Sequence, residues 1–144
     1  MPVPLSPRFL LLLLASAATF ASDTTDRNHY MLHCQGCHTP DGRGAEGKVP
    51  NLNGFMGYFL SVEGGREFLI QVPGAAQSAL SDEALAAVTN WMLVNFSRWQ
   101  LPAQFRPYSA AEVGALRKEV PLNVADTRRA LVEGMREKGL VIED

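Results

Sequence analysis

The chain has 144 residues, 47% hydrophobic and 19% charged, with a formal net charge of -2. That size suits one domain with an appendage and excludes a barrel enzyme or a two-domain dehydrogenase. The composition is too apolar for a disordered chain and too neutral for a nucleic-acid binder, which carries a basic stripe, so no nucleic-acid partner is expected.

Met1–Ala21 reads as a secretory signal peptide. Arg8 supplies the charged start, Phe9–Leu14 the apolar stretch, and Thr19-Phe20-Ala21 a small-residue end, so cleavage is expected after Ala21. The alternative is an uncleaved anchor, but Phe9 to Ala21 spans 13 residues against the ~20 that a membrane-crossing helix needs. No membrane span is expected once the signal is removed, and the expected location is the periplasm.

A first helix is predicted over Asp26–His33 with Thr24 or Thr25 as its cap. Residues 36–57 read as a loop, because glycines and prolines interrupt them too densely for regular structure. A loop that long needs something to wrap around. Tyr58–Val62 reads as a helical turn, and Gly65–Gln71 as a short helix stopped by Val72-Pro73-Gly74. Ser81–Phe96 is the clearest helix: Ser81 caps it, Asp82 and Glu83 put negative charge in its first turn, and Leu85, Val88, Met92 and Phe96 share one face. Ser109-Ala110-Ala111-Glu112 matches a capping box for a helix to about Glu119. Asn123–Lys138 is the last, with an apolar face of Val124, Leu131 and Met135, and Gly139 as its stop. No strand is predicted, so the fold class is all-α.

Charge divides the chain near Arg98. Residues 22–97 hold four basic and eight acidic side chains, and residues 98–144 hold eight basic and seven acidic ones. A core domain over 22–97 and a helical extension over 98–144 are therefore expected. The extension's Trp99, Leu101, Phe105 and Tyr108 are too apolar to dangle, so wrapping back over the core is preferred to a free docking arm.

Cys34-Gln35-Gly36-Cys37-His38 carries the chemistry. Two thiols on one helical turn can each add to a vinyl group of a haem, and the adjacent imidazole then reaches the iron. C-x-x-C-H is the attachment signal of haem c, and it uses the only two cysteines in the chain. Three alternatives are weaker. A Cys34–Cys37 disulfide closes only a tiny loop, a thioredoxin-like pair needs a βαβ pattern, and a zinc site built from His33, Cys34, Cys37 and His38 lacks a second half.

On these residues, the region from about Asp26 to Phe96 resembles the class I, mono-haem cytochrome c family. Tyr30 and Trp91 match the aromatics of the family's two crossing helices, and Asp41-Gly42-Arg43-Gly44 resembles the loop after the haem motif. Val49-Pro50-Asn51-Leu52 resembles the proximal segment. The resemblance implies one covalent haem c held by Cys34 and Cys37, with His38 as the proximal iron ligand. It also implies a His38 Nδ1–H bond to the Pro50 carbonyl, and Leu52 packed on the haem.

The distal side departs from the family. Val72-Pro73 stands where the family places a Met-Pro pair, and valine cannot coordinate iron. Met56 is the candidate replacement. Met92 and Met31 read as core, and Met135 lies far off in the extension. His29 and His33 read as solvated helix residues, and Gln71 or Gln77 would be weak ligands. Otherwise the site is open beneath a small apolar pocket near Val72, with Arg66 the one candidate distal charge, unless it is a surface residue beside Glu63 and Glu67.

The expected function is a non-enzymatic one-electron carrier between redox proteins, the acidic core favouring partners with a basic docking patch. The alternatives are a five-coordinate haem protein that binds a small gas or peroxide, and a haem subunit of a larger redox complex.

Overall fold

A computed structural model describes residues 22–140, so the expected signal peptide lies outside the described residues. Among the described residues there are seven α-helices, and the only β pairing is an isolated Ala45–Val49 bridge. The helices are α1 (22–33), α2 (Gln35–His38), α3 (Gly65–Gln71), α4 (Pro73–Ala76), α5 (Asp82–Phe96), α6 (Ala110–Leu116) and α7 (Val124–Glu137). Short 3-10 segments cover Met56–Ser61 and Arg98–Gln100.

The first helix is longer than predicted. No glycine or proline interrupts residues 22–35, so Thr24 and Thr25 lie inside α1 and do not cap it. Asp23, on the added turn, accepts a hydrogen bond from Trp91 Nε1 at 2.8 Å. Tyr30, 1% exposed, packs its ring against Trp91 (centroids 5.6 Å apart) and Phe96 (5.0 Å), so the expected aromatic pair meets where α1 runs against α5. Burial pushes the Tyr30 phenol up to about 12, and its hydroxyl donates to the Thr39 carbonyl. Met31 was expected in the core but is 44% exposed. With Tyr30 facing inward, the next residue on a helix turns about 100° away toward solvent.

Val72-Pro73-Gly74 ends α3 as predicted, yet it also starts α4. Proline at the first helical position is pre-set for a helix and lacks only an amide that would be unpaired there. Helix α5 begins on Ser81, whose hydroxyl accepts from the Ala84 amide at 3.2 Å. It buries Leu85, Val88 and Met92 as the spacing required, and Leu93 with them. Helix α6 stops at Leu116, short of Glu119. Its capping box is half formed: Ser109 Oγ takes the Glu112 amide, but the Glu112 carboxylate turns to Arg66. Helix α7 starts on Asn123. It ends where the Gly139 and Leu140 amides bond the Arg136 and Met135 carbonyls.

The extension is built into both parts of the core. Tyr108 and Val113 join Tyr30, Ile70, Leu85, Val88 and Leu93 in one cluster. Val132 and Met135 join Phe55, Phe59 and Phe68 in the other. Burying side chains of this size is worth ~1.5–3 kcal/mol each, enough to fix the extension in place. Trp99 is the exception to the expected wrapping, at 90% exposed. The short 3-10 turn that carries it directs Gln100 inward to Ser97, whose hydroxyl accepts from the Gly57 amide, and leaves the indole outside.

Candidate functional site

One helical turn brings the motif together. The Cys37 and His38 amides bond the Cys34 carbonyl at 3.1 and 3.0 Å, and the Cys34 amide bonds Tyr30 O at 2.9 Å. Both thiols are unpaired, Cys34 half-buried and Cys37 exposed. Burial pushes the Cys34 thiol up, and the neighbouring Cys37 adds to the effect.

The loop after the motif is held by its own backbone. Paired bonds link Ala45 and Val49 (3.0 and 2.7 Å), and the Leu52 amide reaches Gly42 O at 2.7 Å. These ties set the Pro50 carbonyl 3.1 Å from His38 Nδ1. A carbonyl only accepts, so Nδ1 carries the proton, and in the neutral ring Nε2 keeps its lone pair. Burial lowers the His38 pKa and so favours that neutral form, while the Pro50 bond opposes the shift. Gly44 makes the approach feasible. Its φ of 71° suits glycine, and a Cβ there would lie 2.4 Å from Val49 O and 2.7 Å from Pro50 O.

Cys34, Cys37, His38, Pro50 and Leu52 line one cavity of about 340 Å³. Helices α3 and α4 and their link add Phe68, Leu69, Val72, Pro73, Gly74 and Ala75. The volume falls at the lower end of the range for ligand sites. Two thiols and an imidazole on one turn, facing an otherwise largely apolar lining, suit a haem. They do not suit zinc, since no three His, Cys, Asp or Glu side chains converge among the described residues.

Met56 and Met92 both line the cavity, 3% and 8% exposed. Met56 follows directly from the Pro50–Leu52 segment, its amide bonded to Leu52 O at 3.0 Å. Neither Gln71 nor Gln77 reaches the lining, whereas His33 does so from an exposed position. His29 is half-buried with its Nδ1 unpartnered.

Arg66 is neither a distal charge nor a plain surface residue. Its guanidinium grips both Glu112 carboxylate oxygens at 2.6 and 2.8 Å, bonds the Arg106 carbonyl at 2.7 Å, and stacks 4.0 Å from the Tyr108 ring centre. It is occupied in fastening the extension to α3. Sequence reasoning also missed that α7 contributes Val124 and Arg128 to the cavity. The Arg128 guanidinium lies 5.3 Å from the Phe55 ring centre. The apolar face of α7 was the one signal that this helix had to dock somewhere.

No family model matches the chain. It is similar to two forms of cytochrome c-552 from Thermus thermophilus. Each is 33% identical over an alignment 118 positions long, which takes in 68% of this chain and 90% and 80% of those proteins. The chain belongs to the class I, mono-haem cytochrome c family. As a c-type cytochrome it binds one covalent haem c and acts as an electron carrier that meets redox proteins. No helix among the described residues is long and apolar enough to cross a membrane.

Proposed function

We propose that this cytochrome is a periplasmic one-electron carrier whose haem is held by thioethers to Cys34 and Cys37, with His38 as the proximal ligand. When bound, the haem supplies the one-electron couple. The protein's share is placement. The Pro50 carbonyl fixes the His38 tautomer and ring direction and raises its basicity, as outer-shell partners of metal ligands do. Leu52 packs beside the ligand, and the apolar lining excludes water. The observation that carries this reading is the His38–Pro50 bond beside two thiols on one turn, all facing one cavity.

The test is maturation in a host that attaches haem c. The wild-type chain should retain its haem after denaturation and shift in mass by one haem. Cys34→Ala/Cys37→Ala should lose the covalent haem, and a double variant that kept it would overturn the assignment. For docking, the excess of acidic residues in 22–97 favours a partner with a basic patch. Electron-transfer rates should then fall as ionic strength rises.

One observation favours a second reading, an exchangeable sixth position that takes a small gas. The stretch from Val72 to Ser78 offers the cavity apolar side chains and backbone, with Ser78 its one polar side chain on the lining. A ferrous protein that binds carbon monoxide at neutral pH supports the exchangeable position. Refusal, with the weak red band of a methionine–iron bond in the ferric form, makes Met56 the sixth ligand.

A further inference from the structure

We propose that Arg117 is a positioning residue that braces the segment from Ala76 to Asp82 from outside, and that this brace governs how readily a small molecule enters the cavity past α4. The proposal rests on the reading of the cavity as the haem site.

Arg117 closes the C-terminal end of α6, in the extension. Its Nε donates to the Ala76 carbonyl at 3.0 Å, its Nη2 to Ser78 at 2.6 Å, and its Nη1 to Leu80 at 2.9 Å and to the Asp82 carboxylate at 2.9 Å. Three alternate carbonyls of one short link thus converge on a single guanidinium whose side chain is 16% exposed. The rigid fork of arginine suits this, and charge-assisted bonds are roughly twice as strong as neutral ones. A lysine has no such fork.

The neighbouring geometry is adapted to the same contact. A Cβ on Gly114 would lie 2.3 Å from Asp82 Oδ2, so α6 rests closely against the carboxylate that Arg117 pairs with. Meanwhile Ser78, whose carbonyl Arg117 holds, and Ala75, next to the braced Ala76, both line the cavity. The braced link follows Val72-Pro73, which stands where the family places its Met-Pro pair, and it brings no sulfur to the cavity. Without a bond to the iron to hold it, a stretch this short depends on outside contacts for its order. Arg117 supplies them from 37 to 41 residues away in sequence.

The experiment compares carbon monoxide association to the haem-loaded, ferrous wild type with that of Arg117→Gln, Arg117→Lys and Arg66→Gln. Arg66 also fastens the extension, but its partners Arg106, Pro107 and Glu112 do not line the cavity. The expected result is association about tenfold faster in Arg117→Gln, or binding where the wild type refuses. That factor corresponds to losing one charge-assisted hydrogen bond. Arg117→Lys should fall between, and Arg66→Gln should match the wild type. If Arg117→Gln does not mature, Asp82→Asn removes one partner and should give a smaller increase. Equal rates in wild type and the Arg117 and Asp82 variants, or equal acceleration by Arg66→Gln, would overturn the brace alone. A wild-type chain that carries no covalent haem would overturn the haem-site reading and the brace with it.

Discussion

The two flanks of the cavity are held by opposite means. The flank running from Cys34 to Leu52 is fastened by neighbours in sequence: one helical turn, one Ala45–Val49 bridge, one His38–Pro50 bond. The flank from Val72 to Asp82 has the α4 turn of its own, and from Ala76 onward it is fastened by Arg117, from another part of the chain. The first flank must present a ligand at fixed geometry, and short loops closed by backbone bonds achieve that with little entropy cost. The second carries no ligand of its own and is positioned by a long-range clamp. This difference makes the first a fixture of the fold and the second adjustable.

The largest break in that comparison comes from the proximal side. Cys34→Ala/Cys37→Ala should leave the protein without a folded haem domain, because the loop over 39–55 has little core of its own. Far-ultraviolet circular dichroism and a thermal melt read this directly. A cooperative melt near the wild-type midpoint would show that the loop does not need the haem. A smaller effect is expected for Gly44→Ala. A side chain at φ 71° that also meets the Val49 and Pro50 carbonyls should cost about 2–3 kcal/mol, from backbone strain with a forced shift. Denaturant titration of the holoprotein gives that number. Loss of under ~0.5 kcal/mol would mean that the Pro50 carbonyl can move freely.

The same contrast explains what the sequence made legible. Cys34, Cys37 and His38 were legible because their chemistry dictates their spacing, and the resemblance to the cytochrome c family added Pro50 and Leu52 beside them. Ser81, Ser109 and the apolar spacing of α5 were equally readable, because caps and periodicity are local. Arg66 and Arg117 were opaque. An arginine in sequence looks the same whether it meets water or Glu112, and nothing near Arg117 marks the Ala76, Ser78 and Leu80 carbonyls as its partners. Met31 and Trp99 were misplaced for a related reason, since an apolar residue is placed by which way its helix or turn faces. The extension was legible as two amphipathic helices, but its share in the cavity through Val124 and Arg128 was not.

Arg66→Ala sharpens the comparison from the clamped side. It removes a two-pronged, four-fifths buried ion pair with Glu112 together with a stacked ring and two carbonyl contacts. The expected loss is about 2 kcal/mol, the scale of a charge-assisted hydrogen bond left without its partner. Hydrogen exchange should rise across the Tyr108 segment and the first turn of α6, where Glu112 sits, while the amides of Gly44, Val49 and Leu52 stay protected. Equal loosening of both flanks would mean that the proximal loop also leans on the extension.

Acid should release the Arg66 clamp before the proximal loop, and Glu112 is the group that times it. Hydrogen bonds from Arg66 hold its carboxyl below the usual glutamate value, with burial opposing and the Arg66 charge adding to the effect. A folded pKa below the unfolded one, ordinarily ~4.3, stabilises the fold fully above the unfolded value. That contribution is lost as pH falls through the folded one. Stability should therefore be flat in this respect near neutrality and decline from about pH 5 downward. Glu112→Gln should be less stable at pH 7 and show a shallower acid slope, because it has no carboxylate to protonate. The Ala45–Val49 and Leu52–Gly42 bonds join backbone groups that do not titrate, so Val49 and Leu52 gain no such dependence from them; the carboxyl of this flank that is held low, by hydrogen bonds from Thr39 and Arg43, is Asp41 at the surface. Exchange measured at pH 3.5 should thus find the amides of α6 opened well before those of Val49 and Leu52. The reverse order would place the acid-sensitive fastening on the motif side.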